Sequence, residues 1–308
     1  MVSMRGHHLQ AIEEQERCCY PGREYVGYAV LPIAIYQFAV LLISALTKNE
    51  HLLFNREDII DKNSIETHLV INDLHAPYFH EEILGLVLKF AKELAPDKLI
   101  NLGDQVDCPS ISKFDKRAER VTTIAQDFKS GYIANARVAE ATSKAEHIFL
   151  YGNHEDRFNS YLAGHHAMEE LVDMDEKIGL KDYGYRSIPY GDEFEYNGFH
   201  YMHGTSARKF AGYTAKGELY DHWVSGMIGH THRSGKCCAT NKAGDFAFFE
   251  NGCLCDFKLA WEWFKKPFPN WQWCISVVKF YDDRWNVHQI NIPRKNPFII
   301  YGKNYYTL

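Results

Sequence analysis

Five short polar blocks, each standing just after an apolar run, constrain this chain more than any other feature. In order they are Asp73-Leu74-His75, Gly103-Asp104-Gln105-Val106-Asp107, Gly152-Asn153-His154-Glu155, His203-Gly204 and Gly229-His230-Thr231-His232. Any one alone is weak, because Gly, Asp and Asn are the ordinary residues of a turn after a buried strand. Five in one order call for a fold that brings several strand ends to one place.

The pattern of elements supplies such a fold. Residues 67–72 read as a strand, and residues 81–94 repeat apolar side chains at Ile83, Leu84, Val87, Leu88 and Leu94 with helical spacing, stopped by Pro96. Residues 98–102 make the next strand, residues 116–145 a long helical stretch and residues 147–151 a third strand. Strand and helix in alternation imply parallel strands with right-handed crossovers, whose carboxyl ends line one edge where ligands gather. After Glu155 the chain reads as helical and acidic to about Lys177. Short strands then dominate at 193–197, 199–202, 223–228, 246–250, 274–281 and 285–292, the last two joined by Asp282-Asp283-Arg284. This second half is expected to form a mostly antiparallel sheet stacked on the first.

Residues 1–24 are polar and charged, without periodicity, and residues 25–47 are 23 residues without a charge, long enough to span a bilayer as a helix. Pro32 and the many Ala and Tyr residues make a mediocre span, so a buried or partner-packed helix is preferred to a membrane anchor. Arg5, Arg17 and Arg23 before the run and Lys48, Arg56 and Lys62 after it give it no orientation. The run is too long, and starts too late after an acidic leader, for a cleaved signal peptide. The expected division is an extension with a polar linker over 1–65, the main domain over 66–294 and a C-terminal tail over 295–308.

The formal charge of −6 gives no global attraction to nucleic acid or anionic lipid. A polyanion contact would need a local patch. Residues 257–273 interleave Trp261, Trp263, Phe264, Phe268, Trp271 and Trp273 with Lys258, Lys265 and Lys266, and Lys113, Lys116, Arg117 and Arg120 are also basic. That composition is compatible with a nucleic-acid substrate, although aromatics covering a sheet or a subunit contact are the plainer reading. Eight cysteines include no Cys-x-x-Cys pair, and a chain of 308 residues needs no disulfide staples. Reduced thiols in the cytoplasm are expected, membrane anchorage through 25–47 being the alternative.

Asp and His offer donors suited to Mn²⁺, Fe or Zn²⁺, and no block contains a thiolate. If the strand continues through it, Asp73-x-His75 points both side chains to one side, and His230-x-His232 repeats the geometry. Two neighbouring ions need a bridging carboxylate, for which Asp104, between the clusters, is the natural candidate.

The order Asp-x-His, Gly-Asp-x-x-Asp, Gly-Asn-His-Glu, His-Gly, Gly-His-x-His resembles the calcineurin-like metallophosphoesterase superfamily over residues 67–292, with every signature position filled. The resemblance implies a mixed α/β fold, a four-layer αββα sandwich of two mixed sheets, and metal-dependent hydrolysis of phosphate esters. It implies that Asp73, His75, Asp104 and His232 bind one divalent ion, and Asp104, Asn153, His203 and His230 a second, Mn²⁺ being preferred and Fe or Zn²⁺ the alternatives. Such ions lower the pKa of a bridging water and polarise the phosphoryl oxygens. By the same likeness His154 gives a proton to the leaving oxygen, with Asp107 orienting it. Arg157, Arg208 and Lys209 follow the blocks closely and are candidates to neutralise a bound phosphate.

One departure narrows the substrate. The protein Ser/Thr phosphatases of the superfamily carry Arg-Gly where this chain has Cys108-Pro109, so a phosphodiester or nucleic-acid-derived substrate is expected ahead of a phosphoprotein or phosphomonoester. Ser112-Lys113-Phe114, Glu155-Asp156-Arg157, Arg233 after the last block, Asn251-Gly252-Cys253-Leu254 and Trp271-Gln272-Trp273 resemble phosphoesterases of bacteriophage genomes and prophage regions. A non-catalytic nucleic-acid-binding or assembly protein on the same fold is the alternative class, and the complete ligand set speaks against it.

Overall fold

In chain order the first elements are β1 (Glu66–Ile71), α1 (Glu81–Leu94), β2 (Lys98–Asn101), α2 (Ile124–Ala141), β3 (Glu146–Leu150), α3 (Asn153–Ala163), α4 (Met174–Lys177) and β4 (Arg186–Ile188). They are followed by β5 (Phe194–Tyr196), β6 (Phe199–Met202), α5 (Tyr213–His222), β7 (Ser225–Ile228), β8 (Ser234–Asn241) and β9 (Gly244–Asn251). The last four are β10 (Trp273–Tyr281), β11 (Arg284–Ile292), β12 (Phe298–Tyr301) and β13 (Asn304–Thr307). The computed structural model describes residues 65–112, 122–165, 167, 172–259 and 269–308. The apolar run at 25–47, the cations at 113–120 and the aromatics and lysines at 261–268 lie outside the described residues.

One sheet has the order β11-β10-β1-β2-β3-β4 and the other β5-β6-β7-β9-β8. Strands β1 to β4 are parallel, as the alternation with helices predicts. Strands β10 and β11 differ from expectation. They join the first sheet, β10 pairing antiparallel with β1, because Val278 and Phe280 face the interior between the sheets while Ile275 and Val277 face the helices. The second sheet is mixed rather than mostly antiparallel, since β6, β7 and β9 run parallel and only β5 and β8 run against them.

Three apolar layers hold these sheets. Helices α1 and α2 pack Ile83, Leu84, Phe90, Phe128 and Val138 on Leu69, Leu99 and Phe149 of the first sheet. Val70, Ile100 and Ile148 meet Phe199, Tyr201, Met227 and Phe249 between the sheets. Ala215 and Leu219 of α5 cover Ile228 and Phe248 on the outer face of the second. Helix, sheet, sheet, helix is the four-layer arrangement. Successive residues of β1 and β2 point to opposite faces, so Leu69 and Leu99 meet the helices while Val70 and Ile100 meet the second sheet, and the inner ends of both strands are apolar and buried on both sides.

Helix α1 ends where Ala95 turns left-handed (φ 46°) ahead of Pro96. Helix α2 starts at Ile124, capped by Thr123 and Gln126 acting reciprocally, later than the expected start at 116. Residues 295–308, expected as a C-terminal tail, carry regular structure. Strands β12 and β13 form a hairpin whose Ile299 and Tyr306 are buried in the core with Phe90 of α1. The cysteines among the described residues are free thiols. Among the described residues no helix is long and apolar enough to cross a membrane.

Candidate metal centre

The site lies at the carboxyl ends of β1, β2 and β3 and of β6, β7 and β9. Strands β1 and β2 stop pairing as strands, but their loops stay side by side. Asp73 N–H donates to Gly103 O, His75 N–H to Asp104 O and Ala76 N–H to Gln105 O at 2.7–2.9 Å. Asp73 and His75 are not on an extended segment, as the i, i+2 argument supposed. Both are left-handed, at φ 52° and 51°, as are Asp104 (51°), His230 (58°) and His232 (56°). Non-glycine residues pay strain in that region, and five of the seven expected ligands share it. The backbone thus aims their side chains inward after the strands have ended.

Two glycines permit the closest approach. A Cβ on Gly103, itself at φ 96°, would stand 2.4 Å from Gly152 N, and one on Gly152 would stand 2.1 Å from Asp104 Oδ1. The second and third sequence blocks therefore touch backbone to backbone. Glu155 locks them together: its buried carboxylate accepts the N–H groups of Asp104, Gln105, Val106 and Gly152 at 2.8–3.1 Å. Glu250 does the same for the fifth block, accepting Thr231 Oγ1–H at 3.0 Å and the N–H groups of Thr214 and Ala215 at the start of α5.

Seven expected ligands converge in this frame. Asp73 Oδ1 lies 2.9 Å from His232 Nε2 and 3.6 Å from His75 Nε2, and the two Nε2 atoms are 3.0 Å apart. Asn153 Oδ1 lies 3.1 Å from His203 Nε2 and 2.7 Å from His230 Nδ1. Asp104 belongs to both groups: Oδ2 is 3.8 Å from His75 Nε2 and 3.4 Å from His203 Nε2. Its other oxygen, Oδ1, accepts His154 N–H at 2.9 Å at the start of α3, where the helix dipole favours a carboxylate. His75, His203 and His232 each turn Nε2 inward with a partner behind Nδ1: Asp107 Oδ1 at 3.4 Å, Leu102 O at 2.6 Å and Cys255 Sγ at 4.0 Å. Such outer partners fix ring orientation at metal sites.

Burial opposes charge on Asp73, Asp104 and Asp107, yet all three are held well below the usual carboxylate range. His232 does this beside Asp73, His203 and His154 beside Asp104, and hydrogen bonds from His154 and His75 at Asp107. Burial also opposes the imidazolium of His75, but Asp107 and Asp73 push it up to about 10, and Asp104 pushes His203 up to about 9. Burial, with His203 nearby, pushes His230 down to about 4. Ionised carboxylates this deep need compensating cations, and Asp73 Oδ1 faces the ring nitrogens of His232 and His75 at 2.9 and 3.6 Å. Oxygen and imidazole donors in two groups around a shared carboxylate fit Mn²⁺, Fe or Zn²⁺.

The other expected residues separate. His154 and Asp107 meet, with His154 Nδ1 2.9 Å from Asp107 O and 3.1 Å from Asp107 Oδ1. Arg157 joins them, Nη1 donating to Asp107 O at 3.0 Å and Nη2 standing 3.3 Å from His154 Nε2. Arg208 instead pairs with Asp221 at 3.8 Å, and the Lys209 ammonium lies over the Phe210 ring. Trp271 and Trp273 are buried against the sheet and His232 rather than offered to solvent. Glu155 carried a readable signal, an acid three residues after the Gly152 helix start, where it reaches back to the Gly152 N–H. The relay Ser276–Asn251–Asn72–Asp73, with links of 2.5–2.6 Å, carried none.

Residues 67–252 match the sequence profile of the calcineurin-like phosphoesterases. The chain belongs to this family. A bacteriophage relative, the Gene 54 protein of Mycobacterium phage D29, is 28% identical over 221 residues, covering 66% of this chain and 85% of the relative. Among solved structures, this calcineurin-like phosphoesterase is similar to a Vps29 mutant from Entamoeba histolytica (TM-score 0.41, 10% identity, 76% of this chain and 97% of that one). It is also similar to the phosphoesterase Yfce from E. coli (TM-score 0.34, 12% identity, 73% and 98%). The purple acid phosphatase PPD1 from yellow lupin gives a TM-score of 0.39 at 11% identity, covering 74% of this chain and 52% of that one. The family assignment rests on the sequence match.

Proposed function

We propose that this calcineurin-like phosphoesterase is a dinuclear metal-dependent hydrolase that prefers phosphodiesters. The observation that carries the reading is the position of Asp104 Oδ2 between the His75 side and the His203 side of the cluster. Asp73, His75, Asp104 and His232 would hold one ion, and Asp104, Asn153, His203 and His230 the other, with Mn²⁺ preferred. Bound there, divalent ions supply Lewis acidity and an activated water.

The chain's own residues do the rest. Both oxygens facing His154 Nδ1 belong to Asp107 and both are acceptors, so Nδ1 carries hydrogen, and it is a second proton on Nε2, in the doubly protonated ring, that would pass to the leaving oxygen. The Arg157 guanidinium, 3.3 Å from that Nε2, brings positive charge to where the phosphoryl group carries negative charge. Cys108 is buried and Pro109 follows it in a short 3₁₀ turn. No cation can reach the phosphate from the position where protein phosphatases place arginine, which supports a diester over a phosphoprotein.

The test is steady-state turnover of bis(p-nitrophenyl) phosphate, p-nitrophenyl phosphate and a phosphopeptide by Mn²⁺-reconstituted protein. The diester is expected to give the highest kcat/KM. A higher value for the phosphopeptide would overturn the preference, and no turnover of any of them above Asp104→Asn would overturn the hydrolase reading.

A further inference from the structure

Helix α5 presents two unlike faces. Ala215 and Leu219 pack on the second sheet, while Tyr213, Lys216, Tyr220 and Trp223 follow a 3, 4, 3 spacing that sets them in one line on the outside. Tyr213 is 54% exposed, Tyr220 47% and Trp223 38%, and Phe210, just before the helix, is 49% exposed. The rings touch edge to face, Phe210 with Tyr213 at 5.2 Å and Tyr220 with Trp223 at 5.3 Å between centroids. Cations stand among them: the Lys209 ammonium is 5.2 Å from the Phe210 ring and that of Lys216 is 5.8 Å from the Tyr220 ring. Two exposed ring pairs on one helix face mark a candidate interaction site.

The patch is joined to the metal centre. It begins at Lys209, five residues after Gly204, and Arg233, next to His232, donates to Arg208 O while Arg208 N–H donates to Thr214 Oγ1. Flat rings interleaved with ammonium groups match a strand of bases and phosphates, because bases stack on aromatic faces and phosphates are drawn to the cations. An apolar partner helix would gain nothing from Lys209 and Lys216.

We propose that Lys209, Phe210, Tyr213, Lys216, Tyr220 and Trp223 form a track for single-stranded nucleic acid leading to the metal centre. This rests on the phosphodiester reading above for its purpose, but binding to the track does not require turnover. Binding is measured by fluorescence anisotropy of a labelled 15-nucleotide oligothymidylate with the full chain in EDTA. Wild-type affinity is expected to fall with salt at a log–log slope of about −1.4, the value for two phosphate contacts on a single strand. Tyr220→Ala/Trp223→Ala is expected to weaken binding about 10-fold or more. Lys209→Glu/Lys216→Glu, which leaves the rings in place, is expected to weaken it comparably, and Tyr220→Ala/Trp223→Ala should not change turnover of bis(p-nitrophenyl) phosphate. Absent binding, or binding that both double variants retain, overturns the track. So does self-association of the wild type that either pair abolishes while oligothymidylate binding persists. Diester turnover without oligonucleotide binding would leave the hydrolase standing and remove the track, whereas track-dependent binding without turnover would do the reverse.

Discussion

Glu155 Oε2 accepts the backbone N–H of Asp104 at 2.9 Å. The same oxygen accepts the N–H of Gly152 at 2.9 Å, so a single carboxylate oxygen spans the two loops whose meeting sets Asp104 between His75 and His203. Burial and the nearby charge of Asp104 push the Glu155 carboxyl up, while the backbone donors pull it back toward ionisation. Replacing it by glutamine puts an NH₂ group where an acceptor is needed. Glu155→Gln is expected to cost about 2–4 kcal/mol, the scale of a buried donor set left partly unsatisfied. Urea unfolding of the chelator-treated protein measures this, and an unchanged midpoint would show that the loops are held some other way.

Gly152 makes the same point sterically. Its backbone (φ −89°, ψ 179°) suits any residue, so Gly152→Ala tests only the 2.1 Å approach of a Cβ to Asp104 Oδ1. The expected result is a loss of about 1–3 kcal/mol from overpacking together with weaker Mn²⁺ binding by calorimetry. A variant that binds Mn²⁺ as well as wild type would mean that the Asp104 loop can yield without losing its ligand geometry.

His154 is expected to reveal itself through the leaving group. His154→Gln should lower kcat for an alkyl-ester diester by about 10²-fold or more and affect a p-nitrophenyl ester much less, because nitrophenolate leaves without a proton. Metal content should be unchanged. Equal losses for both leaving groups would assign His154 to phosphate binding instead of proton transfer.

Acid stability should depend on a residue far from the chemistry. Burial pushes His68 down to about 4 against an ordinary 6.5, despite the hydrogen bond to Glu66, and its ring nitrogens stand 2.8 Å from Tyr201 Oη and 3.1 Å from Glu66 Oε1. The unfolded chain therefore binds a proton that the folded chain refuses. Its contribution is intact above pH 6.5 and is lost as pH falls from 6.5 to 4, by up to about 3 kcal/mol. In urea unfolding of chelator-treated protein across that window, His68→Gln should show a shallower fall than wild type. Parallel curves would contradict the assigned protonation.

The clustering of Asp73, His75, Asp104, Asn153, His203, His230 and His232 was legible because these side chains stand in short blocks after apolar strands. The parallel strands β1 to β3 were legible for the same reason, as apolar runs separated by helical spacing. The destination of β10 and β11 was not, because alternating strands look alike whichever sheet they join and only the tertiary fit of Val278 and Phe280 decides. Left-handed backbone at Asp73 and His75 was also hidden, since nothing in an Asp-x-His triplet distinguishes a continuing strand from a turn. Arg208 and Lys209 follow the His203 block closely in sequence, and their contacts with Asp221 and Phe210 could be seen only in the fold.

The central claim, that Asp104 is shared by two ions, is tested most directly by counting metal. Protein stripped with chelator, dialysed against Mn²⁺ and analysed by mass spectrometry should carry two ions per chain in the wild type and one or none in Asp104→Asn. A wild type holding a single ion at saturation, or an Asp104→Asn variant that still holds two, would contradict it.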